Sequence, residues 1–457
     1  MGIPTPGRLL WAVAVATTAG IAAADCGVGC GGSLAGTPAD EFVAERLGLA
    51  REWVVQLPFD SAAASVQHVT IGDGLVVART GDGGVHAVKS AGPARPGEPA
   101  TGTLLWSKRL GGRGVATPAG VGPRLVTATS DLELFAVDRD TGAGRWQRPL
   151  GRMPETGAVE IGDWVYAPLE GGGIRRLTFD PLQPTADTAA PPVVPTGKKA
   201  KAAGQKAKKK PADARPTAES LRPRTLDGGG RIATPLVPLA KGLAWTTADG
   251  MLVTLQQGDL GWERFEFDLN SPAVPTPVVR GNAIFVATQA SDLARVDLLE
   301  TGGTGLRTGW HVVLDTPPDA GPFVGGDAVV VSLGDAGLAA FAAETGALLW
   351  RSDVAGHILA ISGDRVWIID RTGRLAGIDL ASGERRERIC LGGFSVPVVN
   401  VATDRLILAS PDGLLVSLAP RRPAAAPAAE KPEPAPAAAP APAVEEAEPA
   451  DEAADAT

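Results

Sequence analysis

LVTATSDLELFAVDRDTGAGRW, residues Leu125 to Trp146, contains a hydrophobic strand, an Asp-bearing turn, a second strand, then Thr-Gly and a tryptophan. VVVSLGDAGLAAFAAETGALLW, Val329 to Trp350, repeats it almost position for position. Repetition of this kind fixes architecture before any residue is given a chemical role, because one such unit cannot bury its apolar face alone.

Anchoring on the first strand of the phrase gives Leu75, Leu125, Val165, Leu243, Ile284, Val329, Val366 and Leu406, with successive spacings of 50, 40, 78, 41, 45, 37 and 40 residues. The two long spacings carry insertions, and the rest sit near the ~40-residue period of propeller blades. Within a unit, apolar residues alternate or run briefly, as in Ile284-Phe285-Val286-Ala287, which is strand patterning. Asp82-Gly83, Asp249-Gly250, Thr372-Gly373 and Asp412-Gly413 fall between strands as hairpin turns. The expectation is an all-β chain: an eight-bladed β-propeller of four-stranded antiparallel blades over residues 49–420.

The second turn is the diagnostic one. Thr-Gly or Ser-Gly precedes the last strand at Gly102, Gly142, Gly346 and Gly383, and Trp106, Trp146 and Trp350 follow the first three at a fixed offset. The fourth copy has Glu387 there, and Trp262 and Trp310 occupy looser versions. A large ring on an outer strand can bury against the neighbouring blade while its N–H finds a backbone carbonyl. The eighth unit ends at Leu418–Pro420 without such a strand, whereas Glu52–Leu57 is such a strand with nothing before it. The strand around Trp53 is therefore expected to complete the blade begun by Leu406, removing exposed sheet edges. Trp53, Trp106, Trp146, Trp262, Trp310 and Trp350 are the candidate blade-docking residues.

AVDRDTGAGRW and AFAAETGALLW, with leads at Ala116–Pro118 and Pro275–Val279, resemble PQQ-type repeats of the quinoprotein-dehydrogenase-like eight-bladed propellers. Within that group the chain is most similar to the non-enzymatic outer-membrane assembly factors of the BamB type. The resemblance implies a protein-interaction scaffold whose partners would be an outer-membrane insertion machine and its client β-barrels. The group's dehydrogenases hold PQQ on the axis, usually with calcium and an aspartate base, and many carry adjacent cysteines. This chain has no adjacent cysteine pair, and Asp297 and Asp379 match repeat-turn positions instead. No cofactor site is assigned. A PQQ-dependent dehydrogenase and a small-ligand or polysaccharide-binding propeller stand as the alternatives.

Arg8 followed by an apolar run from Leu9 to Ala24 has the parts of a secretory signal peptide, residues 1–24, with a membrane anchor as the other reading. Residues 25–48 read as a linker. Cys30 is the candidate lipid-attachment residue, although neither it nor Cys26 sits in a clean lipobox, and the two cysteines alternatively pair with each other. Cys390 reads as a small buried hydrophobe. The Lys-, Pro- and Ala-rich insertion 181–216 and the acidic Ala/Pro-rich tail 421–457 have compositions that cannot bury enough apolar surface to offset ordering entropy. The formal charge of −8 offers no global attraction to nucleic acid or anionic lipid. The expected product is a monomeric exported propeller, at the periplasm or the periplasmic face of the outer membrane, with no specific nucleic-acid partner and membrane contact only through a lipid.

Catalytic patterns are sparse. His68, His86, His311 and His357 lie in different blades without metal-ligand spacing. Gly27–Gly32 satisfies G-x-G-x-x-G but follows no domain strand and opens no βαβ unit. Asp138-Arg-Asp140-Thr-Gly142 resembles half a calcium loop, lacks the later ligands, and coincides with the repeat's own turn. No metal or catalytic residue is assigned.

Overall fold

The computed structural model describes residues 36–90, 99–112, 117–179, 224–258, 261–274, 276–299 and 305–421. The signal-like run, Cys26, Cys30, the insertion 181–216 and the tail beyond 421 lie outside them. The described chain folds as eight antiparallel sheets in sequence order. Blade 1 illustrates the plan: Val66–Gly72 is innermost, then Leu75–Thr80, Gly84–Lys89 and, outermost, Leu104–Arg109.

Burial follows position in the blade. The second strand of blade 1 is buried at every residue, whereas the outer strand of blade 2, Gly144–Pro149, alternates between exposed and half-buried. Inner strands are covered on both faces by neighbouring sheets, so a near-continuous apolar run replaces alternation. The core is divided accordingly. Eight apolar clusters each fill one joint between consecutive blades. The joint between blades 1 and 2, for example, packs Leu75, Val77, Val85 and Ala87 against Val126, Ala128 and Val137.

The ring closes through blade 8. Leu49–Gln56 pairs antiparallel with Leu414–Pro420, which pairs with Leu406–Ala409. This blade has three strands rather than the expected four, its innermost position being reduced to a bridge between Val396 and Ala409. Asn400 then ties this segment to blade 7, its N–H donating to Leu359 O at 2.7 Å.

Residues 36–48, within the stretch read as linker, are folded. Asp40 Oδ1 accepts from Phe42 N at 3.0 Å and caps the helix Glu41–Arg46, satisfying one of the donors a helix start leaves open. Ala39, Ala44 and Leu47 are buried against Leu359, Leu391, Phe394 and Leu406, so the segment plugs the joint between blades 7 and 8.

Candidate functional site: the inter-blade joints and an exposed edge

Five blades share a register shift between the third and fourth strands, at Ala87/Val88, Ala136/Val137, Arg295/Val296, Ala340/Phe341 and Gly377/Ile378. The unpaired outer residues are Leu105, Arg145, Gly309, Leu349 and Arg386, and blade 8 has the same shift at Glu52. The next residue is Trp106, Trp146, Trp310, Trp350, Glu387 and Trp53 respectively. A bulge adds local twist and re-aims the side chain that follows it. Here it turns each indole toward the next blade. In blade 3 (Gly173–Thr178 with Arg224–Asp227) and blade 4 (Met251–Gly258 with Gly261–Asp268) the third and fourth strands pair in unbroken register, and Arg224 and Phe265 occupy the corresponding positions.

Four indoles end on equivalent carbonyls. Trp106 Nε1 donates to Arg139 O at 2.7 Å, Trp146 to Phe179 O at 3.1 Å, Trp310 to Ala343 O at 2.9 Å and Trp350 to Leu380 O at 2.7 Å. Each acceptor is the residue just past the third strand of the following blade. The rings of Trp53, Trp106, Trp310 and Trp350 lie on Gly102, Gly142, Gly346 and Gly383, whose φ angles run from 65° to 79°. A Cβ on Gly142 would stand 2.7 Å from Trp106 ring carbons. The turn therefore needs glycine twice: for its left-handed backbone and for the space the ring occupies. Trp262 behaves differently. It pairs with Gln257 and meets Tyr166 of the preceding blade edge-on, centroids 6.4 Å apart.

The seam between blades 7 and 8 carries an ion pair in place of an indole. Glu387 binds Arg365 through Nε at 3.0 Å and Nη2 at 2.9 Å. Arg365 lies over Gly48, 3.0 Å from where its Cβ would be, and Gly48 has φ +72°. Gly48 thus takes the place of the turn glycine where the chain ends meet. Burial raises the Glu387 carboxyl above its ordinary value, opposed by Arg365.

The Asp138 turn uses its own ligands. Asp138 Oδ1 accepts from Asp140 N, Thr141 N and Thr141 Oγ1, and Oδ2 pairs with Arg145 at 2.5 Å. Asp379 repeats the arrangement with Ala381, Ser382 and Arg386. Asp297 pairs with Arg295 and Arg307. Among the histidines, His86 Nδ1 meets Ser107 Oγ at 2.8 Å and His311 pairs with Asp292 at 2.9 Å. Both contacts tie neighbouring strands of one blade. Among the described residues no three His, Cys, Asp or Glu side chains converge. Arg79, buried with its pKa lowered to about 10 by desolvation, clamps blade 1 to blade 2 through Thr117 O at 2.7 Å and Thr129 O at 3.0 Å.

Cys390 is half-buried at the end of the outer strand of blade 7 and is disulfide-bonded. It is therefore not the buried thiol expected from sequence.

One outer edge carries an exposed apolar pair. Leu348 and Leu349, at the bulge of the outer strand Leu348–Ser352 of blade 6, are each half-exposed, where blade 2 places Gly144-Arg145, blade 7 Arg385-Arg386 and blade 1 the more buried pair Leu104-Leu105. Beside them a groove of about 700 Å³ runs between Arg351–Val354 of blade 6 and Ser382–Arg385 of blade 7.

The chain matches the family described as "Outer membrane protein assembly factor BamB" over residues 4–179 and 303–422. It belongs to this family. No curated protein matches the sequence. Among solved structures, BamB from Moraxella catarrhalis superposes with a TM-score of 0.57 at 20% identity, covering 81% of this chain and 97% of that one. The computationally designed Ika8 protein superposes at 0.53 with 13% identity, covering 80% and 98%. Both likenesses concern the propeller fold.

Proposed function

We propose that this family member is a non-catalytic scaffold of the cell envelope, at the periplasm or the periplasmic face of the outer membrane. It holds extended segments of proteins undergoing outer-membrane assembly. Membership of the BamB family supports the compartment and partner class. The observation carrying the binding mode is the exposed Leu348-Leu349 pair on a free strand edge beside the groove between blades 6 and 7. An outer strand offers one row of unpaired N–H and C=O groups, to which an extended peptide adds as a further strand, with adjacent apolar side chains supplying selectivity. Strands of a membrane barrel alternate apolar and polar residues and fit such an edge. The test is site-specific photocrosslinking in the native envelope from positions 348 and 349, with Arg148 on the charged blade 2 edge as control. Barrel proteins or their assembly components recovered from 348 and 349 but not 148 support the proposal. Their reproducible absence from a working crosslink overturns it.

A further inference from the structure

We infer that the outer edge of blade 4 joins two copies of this chain into a two-fold dimer, Gly261–Asp268 of one copy pairing antiparallel with the same strand of the other. This edge differs from the rest of the ring. Six outer strands are interrupted by a register shift, and in blade 3 only the four residues Arg224–Asp227 pair. Bulges and short edge strands are among the ways in which sheets avoid edge-to-edge association. In blade 4, by contrast, Gly261–Asp268 pairs with Met251–Gly258 at every position from end to end. Among the described residues nothing pairs with its other side, so its outward row of N–H and C=O groups is open. Both faces of the strand are already engaged within the ring. Phe267 borders the joint with blade 5, while Trp262 meets Tyr166 of blade 3 and Arg264 Nη1 donates to Asp227 O at 2.9 Å. The edge is what remains for a partner.

The charge pattern selects both the occupant and the register. A two-fold axis sets residue i against residue j of the second copy and j against i, and directly opposed side chains share a face of the sheet. Centred on Phe265, the pairing sets Arg264 against Glu266 of the second copy, Glu266 against its Arg264, and Phe265 against Phe265. Centring on Arg264 opposes the two arginines, and centring on Glu266 opposes the two glutamates. Of these registers, only the one on Phe265 gives every charge at 264 and 266 its opposite. Arg264 and Glu266 are exposed and already form an ion pair within each copy, so the axis closes a square of alternating charges. The edge of blade 6 has no such self-complement, because centring on Trp350 opposes Leu349 to Arg351. The outer strand is the part of a blade farthest from the ring axis, so two discs meet there rim to rim. A single strand edge is a small contact of the weak, transient class, and the pair forms as concentration rises. The two-fold pair replaces the monomer expected from sequence.

The test is sedimentation velocity of the purified full chain over a roughly hundredfold range of micromolar concentrations. The expected result is a mass that climbs toward twice that of the monomer. Arg264→Glu and Glu266→Arg each oppose like charges across the axis and should raise the midpoint concentration about tenfold or more. An equimolar mixture of the two variants sets the introduced charges against each other and keeps the native pair, so it should dimerise at the wild-type midpoint. The double variant Arg264→Glu/Glu266→Arg should do the same on its own. Glu266→Arg leaves the Arg264 contact with Asp227 in place, so it carries the test by itself if Arg264→Glu does not fold. A wild-type chain that stays monomeric throughout, whether its edge is empty or taken by another protein, overturns the inference. So does a dimer whose midpoint neither single variant moves, or a loss that neither the mixture nor the double variant restores.

Discussion

Trp53 lies across Gly102, so the first strand of the ring is held on one side by hydrogen bonds to residues 414–420 and on the other by the turn of blade 1. Its neighbour Glu52, the bulged residue, receives Arg405 Nε at 2.6 Å and Nη2 at 2.9 Å and Ser417 Oγ at 3.0 Å. The indole is buried among Val76, Val88 and Ile407. Trp53→Ala should cost about 3–5 kcal/mol, the usual range for truncating a buried tryptophan. Denaturant unfolding followed by circular dichroism measures it. A cost below about 1 kcal/mol would show that the ring does not depend on this contact.

Gly142 and Gly144 are two residues apart and should respond unequally to alanine. At Gly142 the substitution meets a left-handed φ of +65° and the Trp106 ring, the backbone conformation alone costing about 1–2 kcal/mol. At Gly144 nothing lies within 4 Å of the added carbon, so the change should stay within about 0.5 kcal/mol. Thermal unfolding of the two variants provides the comparison, and equal shifts would refute the packing argument.

The ring was legible in the sequence because each blade repeats one local grammar. Thr141-Gly142 and Trp146 are fixed by the same turn and strand in every good copy, so the count of eight and the closure by Trp53 followed from spacing. The bulge before each tryptophan was not legible, since Leu105, Arg145 and Gly309 share no chemistry: the register shift is a property of pairing between strands. Gly48 was equally hidden. It closes the stretch read as a linker, follows the helix Glu41–Arg46, and serves as the turn glycine only once the two chain ends meet. Trp262 lacked the Thr-Gly turn that would have signalled its direction, and blade 4 has no bulge to turn it forward. The exposed Leu348-Leu349 edge read as ordinary outer strand, because the side chains' exposure depends on the register shift at Leu349, which is a property of pairing between strands.

Asp138 should give the fold an acid-labile component. Hydrogen bonding from Arg145, with further help from Thr141, lowers its pKa from 3.8 to about 2 despite partial desolvation. The unfolded chain binds the proton more readily, so this stabilisation is fully present above the unfolded value and is lost as pH falls from about 4 toward about 2. Asp138→Asn should flatten that limb of the stability profile. A difference between wild type and variant that is the same at pH 6 and pH 2.5 would contradict this account.

Glu387 should slope the other way. Burial raises its carboxyl above 4.5, only partly offset by Arg365, so the folded state holds the proton longer than the unfolded chain. The contribution is therefore favourable at low pH and diminishes as pH rises above 4.5 through the folded value. Glu387→Gln should remove this decline while leaving the Asp138 limb intact. Urea midpoints for both proteins from pH 4 to 7 measure the effect. A wild-type midpoint that does not fall relative to the variant over this range would show that the seam is indifferent to the carboxyl charge.

The edge of blade 6 provides the functional prediction. Leu348→Lys and Leu349→Lys place charge on side chains that are already half-exposed and outside the joint, so folding should change by less than about 0.5 kcal/mol. If an extended client segment covers them, each lysine must be desolvated or displaced on binding. The double variant should then lose about tenfold or more in affinity, which corresponds to 1.4 kcal/mol. Fluorescence anisotropy with a labelled peptide of alternating apolar and polar residues, ten residues long as a barrel strand is, reads the change. Arg385→Ala, on the far wall of the groove, tests whether the groove itself takes part. Loss in the leucine variants alone assigns binding to the strand edge, loss in all three assigns it to edge and groove together, and unchanged affinity throughout removes blade 6 as the docking surface.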